Sequence, residues 1–362
     1  MRAAVLEHPG LDGLHLRDDL ELAPVTGRFV RVRVRAAGVC HSDLSAVSGR
    51  LGLPTPVVIG HESSGDVVEI GPDVTRVSAG DRVIVSWVPQ CGRCLPCTSG
   101  QPQLCTFNLT DEYRFPRYRR ASGEVWAQAG CGGFAEEILV SDHNLVPLPD
   151  DVPYEVGALV GCGVSTGVGA VMNTASVEKG ASVVVIGCGG VGLSAVQACR
   201  VAEAATVVAV DPVAAKREAA MTLGATHAVD PADLATTVGD LTDGRGFDVA
   251  IEAVGAVSTI RAAYEVVRRG GTAVIVGVGP KDEAVSFSPY ELYAGEKHLV
   301  GSVFGSTDIR RDFPRIIQHW RDGSLDLERM ISAHIPLEGL PAALADLWQG
   351  TALRSVLVFE DS

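Results

Sequence analysis

Positive charge is in short supply in this sequence: 30 Lys and Arg face 44 Asp and Glu, for a formal net charge of -14. A polyanion would be repelled by such a chain, so nucleic-acid binding is excluded as its main function. No uninterrupted apolar run reaches the ~18 residues that a membrane span requires. The longest apolar stretch, near Val183, is broken by glycines and reads as a buried strand and turn. The opening MRAAVLEHPG lacks the charged-then-apolar pattern of a secretory signal. No internal repeat or low-complexity tract is present. These absences predict a cytoplasmic protein with no nucleic-acid and no membrane partner. Disorder is excluded as well, because 46% of the residues are hydrophobic. A length of 362 residues predicts two or three domains.

Nine cysteines are present, an odd and clustered set. Without a secretion signal they do not read as a disulfide framework; they read as metal chemistry.

The first 150 residues read as strands and turns. In RFVRVRVRAAG (28–38), Val30, Val32 and Val34 share one face and arginines the other, as in a half-buried strand. SSGDVVEIGPDV (63–74) and DRVIVSWV (81–88) are strands split by glycine and proline turns. From 164 the pattern changes. VSTGVGAVMNTASV (164–177) predicts a helix, ASVVVIG (181–187) a buried strand, VGLSAVQACRVAEA (191–204) a helix and TVVAVD (206–211) a strand. The alternation continues to about 300. The expectation is an α/β protein: a doubly wound parallel-sheet (Rossmann) domain over 164–302 and a largely antiparallel domain over 1–163. A return segment over 303–362, ending in the strand SVLVF (355–359), completes the first domain.

Gly187-Cys188-Gly189-Gly190-Val191-Gly192 follows a predicted strand and opens a predicted helix. Gly187 permits the tight turn, Gly189 lets a pyrophosphate approach the backbone, and Gly192 lets helix and strand pack closely. The helix N-terminus offers its free N–H groups to the phosphates. Asp211 ends the next strand, where its carboxylate accepts from both ribose hydroxyls and repels the extra phosphate of NADP. The pattern points to NAD, against a glycine turn with no ligand. Lys216, one helical turn on, reads equally as a ribose contact or as a surface lysine.

Cys91, Cys94, Cys97 and Cys105 stand in CGRCLPCTSGQPQLC, inside a lobe of about 90–106. Four thiolates suit the tetrahedral preference of zinc, and a closed shell makes that metal structural. An iron–sulfur cluster, or free thiols or disulfides, are the alternatives. The run RFPRYRR (114–120) reads as a basic cover for a substrate entrance or as a solvated loop.

Three further signals are weak taken singly: Cys40-His41-Ser42-Asp43, Gly60-His61-Glu62 and Gly161-Cys162-Gly163. A lone buried cysteine is usually core, and a lone histidine usually bonds a backbone carbonyl. Together with the four-cysteine lobe, GCGGVG (187–192), GCGVSTG (161–167) and LRSVLVF (353–359), they make the chain resemble the zinc-containing medium-chain alcohol dehydrogenases, from about residue 25 onward. Cys₂His is a known catalytic zinc set of alcohol dehydrogenase. The resemblance implies a GroES-like catalytic domain, NAD and two Zn²⁺ per subunit. It implies that Cys40, His61 and Cys162 bind the catalytic zinc, with Glu62 as an acidic neighbour and Asp43 orienting His61. Ser42 is implied as the first proton acceptor. Thr166 and Val191 would pack on nicotinamide, Val276, Ser302 and Phe304 would hold its carboxamide through their backbone, and Arg354 would contact the pyrophosphate. His41 stands where the family often has an arginine near the pyrophosphate, so it is implied as a cofactor contact with a weaker, pH-dependent charge. Ser45 stands where its best-known members end their proton relay in histidine.

The implied reaction is reversible hydride transfer between an alcohol or aldehyde and NAD, with the open metal position acting on the alcohol oxygen as a Lewis acid. Leu51 and Trp87 align with the family's substrate pocket and suggest an apolar or aromatic primary alcohol; otherwise both are core side chains. The long segment after Cys105 resembles that of the longer, often dimeric members, so a homodimer is expected, with a homotetramer as the alternative. AVMNTASVEKG (170–180) resembles actinobacterial thiol-dependent formaldehyde dehydrogenases. These act on an S-hydroxymethyl adduct of a small thiol such as mycothiol or glutathione, and they provide the second enzymatic reading. A zinc-stabilised NAD-binding regulatory protein is the non-enzymatic one. Zinc-free quinone reductases would lack both metal sets.

Overall fold

A computed structural model describes residues 1–350 and 354–359; Leu353 of the LRSVLVF motif lies outside the described residues. The chain forms two compact units. One holds Met1–Gly163, Asp308–Pro314 and the segment from Leu327 on; the other holds Val164–Thr307 and Arg315–Asp326.

In the first unit the alternation of valine and arginine produces the expected half-buried strand, Phe29–Gly38. Val30, Val32 and Val34 are buried, and Arg31 and Arg35 pair with Glu137 and Asp66 on the neighbouring strands. This strand is the hub of the sheet. It pairs antiparallel with Ser63–Ile70, Glu137–Ser141 and Ser355–Val358. A second, smaller sheet is built around Ala3–Leu6.

The second unit carries six parallel strands. Their order in space is His227–Val229, Thr206–Val210, Ser182–Ile186, Phe247–Glu252, Val267–Ile275, His298–Gly301. That order, 3-2-1-4-5-6, is the doubly wound dinucleotide-binding arrangement. Val183, Val184 and Val185 are fully buried because helices cover both faces of a parallel sheet.

Two expectations change. The helix expected over 164–177 begins ten residues earlier: one continuous helical stretch runs from Tyr154 to Thr174. Its 21 residues are long and apolar enough to cross a membrane by length and composition, but 89% of its most apolar window is buried inside the protein. Burial of all its faces, not lipid, accounts for the apolar character. It contains two wide π-turns, Val160–Val164 and Ala170–Thr174.

The basic run 114–120 is only partly solvated: Arg114 and Arg119 are exposed, and the others are not. Arg117 is fully buried, with its guanidinium 3.9 Å from the ring of Phe115 and 4.7 Å from that of Phe29. It donates to the carbonyls of Tyr113 and Phe115. Arg119 pairs with Glu21, and Arg120 binds Glu7 through two bonds of 2.7 Å each.

Glu7 also receives Arg17. The hydrogen bonds from Arg120 hold its carboxyl down, to about 2, despite partial desolvation. A depressed carboxyl stabilises the fold above its unfolded value of 4.5, and that contribution is lost as pH falls toward 2. Glu7→Gln should therefore cost about 1 kcal/mol near neutral pH, after allowing for solvent screening. The gap from the parent should close in acid, which urea midpoints at neutral and strongly acidic pH check.

Candidate metal centres and dinucleotide site

The helix His41–Val47 starts at Cys40, and its third residue, Asp43, reaches back to accept the Cys40 N–H at 2.9 Å. The other carboxylate oxygen of Asp43 lies 2.8 Å from Nδ1 of His61. Asp43 is fully buried, so the Nδ1 proton points to it and the lone pair is left on Nε2. That Nε2 is buried without a hydrogen-bond partner. Cys162 sits on the first π-turn of the long helix. The ligand atoms of Cys40, His61, Glu62 and Cys162 all lie within 4.8 Å of one another.

The electrostatics of this cluster suit a cation. A hydrogen bond from Cys162 holds the Cys40 thiol well below its ordinary value against burial, and Cys162 is raised in turn. Burial would lower His61, but the charge of Asp43 outweighs it. Burial pushes Glu62 up to about 7, opposed by the Arg354 guanidinium that donates to it. Glu62 also accepts the Gly163 N–H at 3.0 Å. Two thiols and one orphaned imidazole nitrogen fit Zn²⁺ with one coordination position left over, and the buried acid of Glu62 stands beside them.

Other residues named from the sequence lie close by. Ser42 and Ser45 are half-buried on the same short helix as Asp43, and His41 is exposed there. Leu51 and Trp87 are partly buried and pack against the core of the first unit. Arg354, expected on a pyrophosphate, has its guanidinium on Glu62, a pairing across 292 positions that no local pattern shows. Gln128 was not visible in the sequence at all. It is buried, accepts the Gly60 N–H at 2.9 Å and places its amide nitrogen 3.3 Å from His61 Nδ1.

The second cluster is Cys91, Cys94, Cys97 and Cys105, again with ligand atoms within 4.8 Å. Backbone N–H groups of Cys91 and Cys94 donate to the sulfurs of Cys105 and Cys91, both at 3.4 Å. Four sulfurs leave no position for a substrate, and the set fits a structural Zn²⁺.

In the second unit, Gly187 turns with φ +95° at the end of Ser182–Ile186, and the helix Gly190–Val201 follows. A Cβ on Gly192 would lie 1.7 Å from the Gly187 carbonyl, so helix and strand meet only through glycine. A Cβ on Gly189 would meet nothing within 4 Å, which is the open approach a pyrophosphate needs. Val191 is half-buried one residue into the helix. Asp211 is buried and accepts the N–H groups of Cys188 and Val213, each at 2.9 Å, which ties it to the glycine turn. Lys216 is half-buried one turn on; its neighbour Arg217, not singled out beforehand, donates to the Asp211 carbonyl at 2.6 Å.

Thr166 and Phe304 are buried in the same unit, and Phe304 has a left-handed backbone with φ 54°. The N–H groups of Val276 and Ser302 are committed to the carbonyls of Glu252 and Ile275, both at 2.8 Å. The Ser302 hydroxyl meets Thr174 on the second π-turn at 2.7 Å.

A dinucleotide sheet, a closed four-sulfur lobe and an open Cys₂His set define the class of zinc-dependent dehydrogenases. Comparisons with known proteins agree. A family profile described as an alcohol dehydrogenase GroES-like domain matches residues 28–150, and one described as a zinc-binding dehydrogenase matches 190–321. An NDMA-dependent alcohol dehydrogenase from Amycolatopsis methanolica is 37% identical over 94% of both chains. The S-(hydroxymethyl)glutathione dehydrogenase of Synechocystis is 35% identical over 94% of this chain and 95% of its own. The crystal structure of benzyl alcohol dehydrogenase from Acinetobacter calcoaceticus superposes with a TM-score of 0.90 at 30% identity, over 99% of each chain. The chain belongs to the zinc-containing medium-chain alcohol dehydrogenase family.

Asp43→Ala removes the partner of both Cys40 and His61. Zinc affinity at that centre should fall about 10- to 100-fold, with the four-cysteine centre unaffected. Metal content after graded chelator exposure checks this.

Proposed function

We propose that the enzyme interconverts a primary alcohol and its aldehyde with NAD as the hydride carrier, at a zinc ion held by Cys40, His61 and Cys162. The observation that carries the reading is the buried three-ligand set, with His61 Nε2 orphaned and Asp43 fixing the opposite ring nitrogen. When bound, zinc supplies Lewis-acid polarisation of the alcohol oxygen, and nicotinamide takes or gives the hydride. The chain's own residues do the rest. Ser42 Oγ receives the alcohol proton and passes it on toward the ribose hydroxyl and solvent, and His41 stands toward the pyrophosphate as a pH-dependent charge. Glu62 places a buried carboxylate beside the metal ligands, and in this reading Arg354 stays with it. The second zinc, on Cys91, Cys94, Cys97 and Cys105, is structural, which makes two per chain.

Gly187, Gly189, Gly190 and Gly192 receive the pyrophosphate. Asp211 favours NAD over NADP, and Lys216 contacts the ribose. Thr166 and Val191 hold the nicotinamide face, and Val276, Ser302 and Phe304 its carboxamide. Leu51 and Trp87 shape an apolar pocket for the alcohol, in keeping with the benzyl alcohol dehydrogenase of similar structure.

A second reading, oxidation of an S-hydroxymethyl thiol adduct, is favoured by the relative named for that substrate. The basic run offered to such a thiol is less available than its sequence suggests, because Arg117 is buried and Arg120 is tied to Glu7, while Arg119 pairs with Glu21 at the surface. A purely regulatory role leaves the open metal set without a use. Nine free thiols are in keeping with a reducing cytoplasm.

We also infer a homodimer, in preference to a tetramer. His298–Gly301 is an edge strand of its sheet, and Tyr290, Tyr293 and Val303 are exposed apolar side chains of the same unit. Sedimentation equilibrium should return twice the chain mass, and a monomer would overturn the inference.

The deciding experiment is a screen of alcohols and aldehydes against NAD(H) and NADP(H), with and without a low-molecular-weight thiol. Aromatic primary alcohols with NAD and no thiol should turn over best, and Cys40→Ala should abolish that turnover while NADH binding persists. Strict dependence on thiol selects the second reading, and full turnover by Cys40→Ala ends the zinc mechanism.

A further inference from the structure

The four-cysteine lobe has an electrostatic problem that its ligands cannot solve. Zn²⁺ with four thiolates carries two net negative charges, and Cys91 and Cys105 are buried. An uncompensated charge of that size is costly wherever water is excluded. Backbone N–H groups of Cys91, Arg93 and Cys94 soften it by donating to sulfur at 3.4 to 3.5 Å. They bring dipoles and no charge.

Two guanidinium groups converge on the root of the lobe. Arg76, half-buried, donates Nη1 to the carbonyl of Gln90 at 3.5 Å. Arg310 donates Nη2 to that same carbonyl. Gln90 directly precedes the first zinc cysteine. Arg310 also lies against the lobe's next residue: a Cβ on Gly92 would be 3.4 Å from its Nη1. The Gln90 side chain is held from the same place, since its Oε1 accepts the Ile309 N–H at 3.1 Å.

Two like charges sharing one neutral acceptor repel. Arg310 and burial together lower Arg76, with burial the larger cause, while Cys91 and Asp142 act the other way. Among the described residues neither arginine has a carboxylate within salt-bridge distance. The nearest acid that acts on Arg76, Asp142, already accepts Arg28 at 3.0 Å. The buried ring of His143 registers the same excess of positive charge. Burial first, then Arg76, Arg28, Arg310 and Arg93, push it down to about 3. The carboxylate that acts on Arg76, Asp142, is engaged by Arg28, which leaves the tetrathiolate as the anion toward which half-buried Arg76 and exposed Arg310 stand.

We propose that Arg76 and Arg310 are the counter-charges of the structural metal centre, two guanidinium charges set against the net −2 of zinc and four thiolates. The proposal rests on the reading that this lobe holds zinc. Arg310 enters from the residues that return to the first unit, so metal retention in the lobe depends on a segment more than 200 positions away in sequence.

The test uses the zinc-loaded full-length protein. Release of zinc to a chromogenic chelator is followed without denaturant for the parent, Arg76→Gln, Arg310→Gln, the double variant, and the charge-keeping Arg76→Lys and Arg310→Lys. Total zinc per chain is measured first, so a lobe that never held zinc shows as a parent with one equivalent and fails separately. The expected result is faster release of one equivalent, by about tenfold in the double variant, given the modest strength of part-exposed ion pairs. Release of the other equivalent should be unchanged, and the lysine variants should stay near the parent. Added salt should speed the parent more than the double variant. Double-variant release within twofold of the parent overturns the proposal. So do lysine variants as fast as the glutamine ones, because shape and hydrogen bonding would then be the cause.

Discussion

The carboxylate of Asp43 is the constraint on which the reactive centre depends. Its two oxygens tie together the backbone of Cys40 and the ring of His61, which are 21 residues apart in the chain. A buried imidazole can rotate or exchange tautomers unless one nitrogen is claimed, and here Asp43 claims Nδ1. The remaining nitrogen, Nε2, is then left without a hydrogen-bond partner and free to serve as a metal ligand. Asp43 is itself buried, so its charge is tolerable only because both oxygens are used. Gln128 adds a second restraint by holding Gly60, the residue before His61.

The third ligand reaches this point by a different device. A regular helix from Tyr154 would carry Cys162 round at 100° per residue. The π-turn Val160–Val164 inserts extra width and re-aims the side chain toward Cys40 and His61. π-turns of this kind are commonly kept at functional sites. The second π-turn, Ala170–Thr174, performs a similar service within the other unit, where Thr174 meets the hydroxyls of Ser302 and Ser306 at 2.7 and 2.9 Å.

What could be read from the sequence was local. The alternation at Val30, Val32 and Val34, the glycine turn at 187–192 and the spacing of Cys91 to Cys105 each fit inside one element or turn, and the structure forms all three. The start of the long helix was missed for a local reason too. Gly157, Gly161 and Gly163 are poor helix formers, and only burial on every side makes the segment helical. Long-range pairings had no signal: Arg354 on Glu62, Gln128 beside His61, and Phe29 over Arg117, 88 positions away. A run of arginines looks solvated until the acids and rings that meet it are known. Arginine is the residue in which this ambiguity is largest, because its planar group stacks as readily as it pairs.

The two metal centres differ in charge, and their surroundings differ accordingly. Two thiolates and a neutral imidazole around Zn²⁺ sum to zero. Next to that neutral set the protein places a neutral pair, Glu62 with Arg354, both buried. The acid left over is Asp43, and its charge is directed at the His61 N–H. Four thiolates around Zn²⁺ sum to −2, and beside that set stand two arginines with no carboxylate at salt-bridge distance among the described residues. A centre that must admit and release a neutral alcohol gains from surroundings that do not pull on it. A centre that must keep its metal gains from a fixed excess of positive charge. The same chemical elements, zinc and cysteine, are thus set to opposite tasks by the charges placed around them.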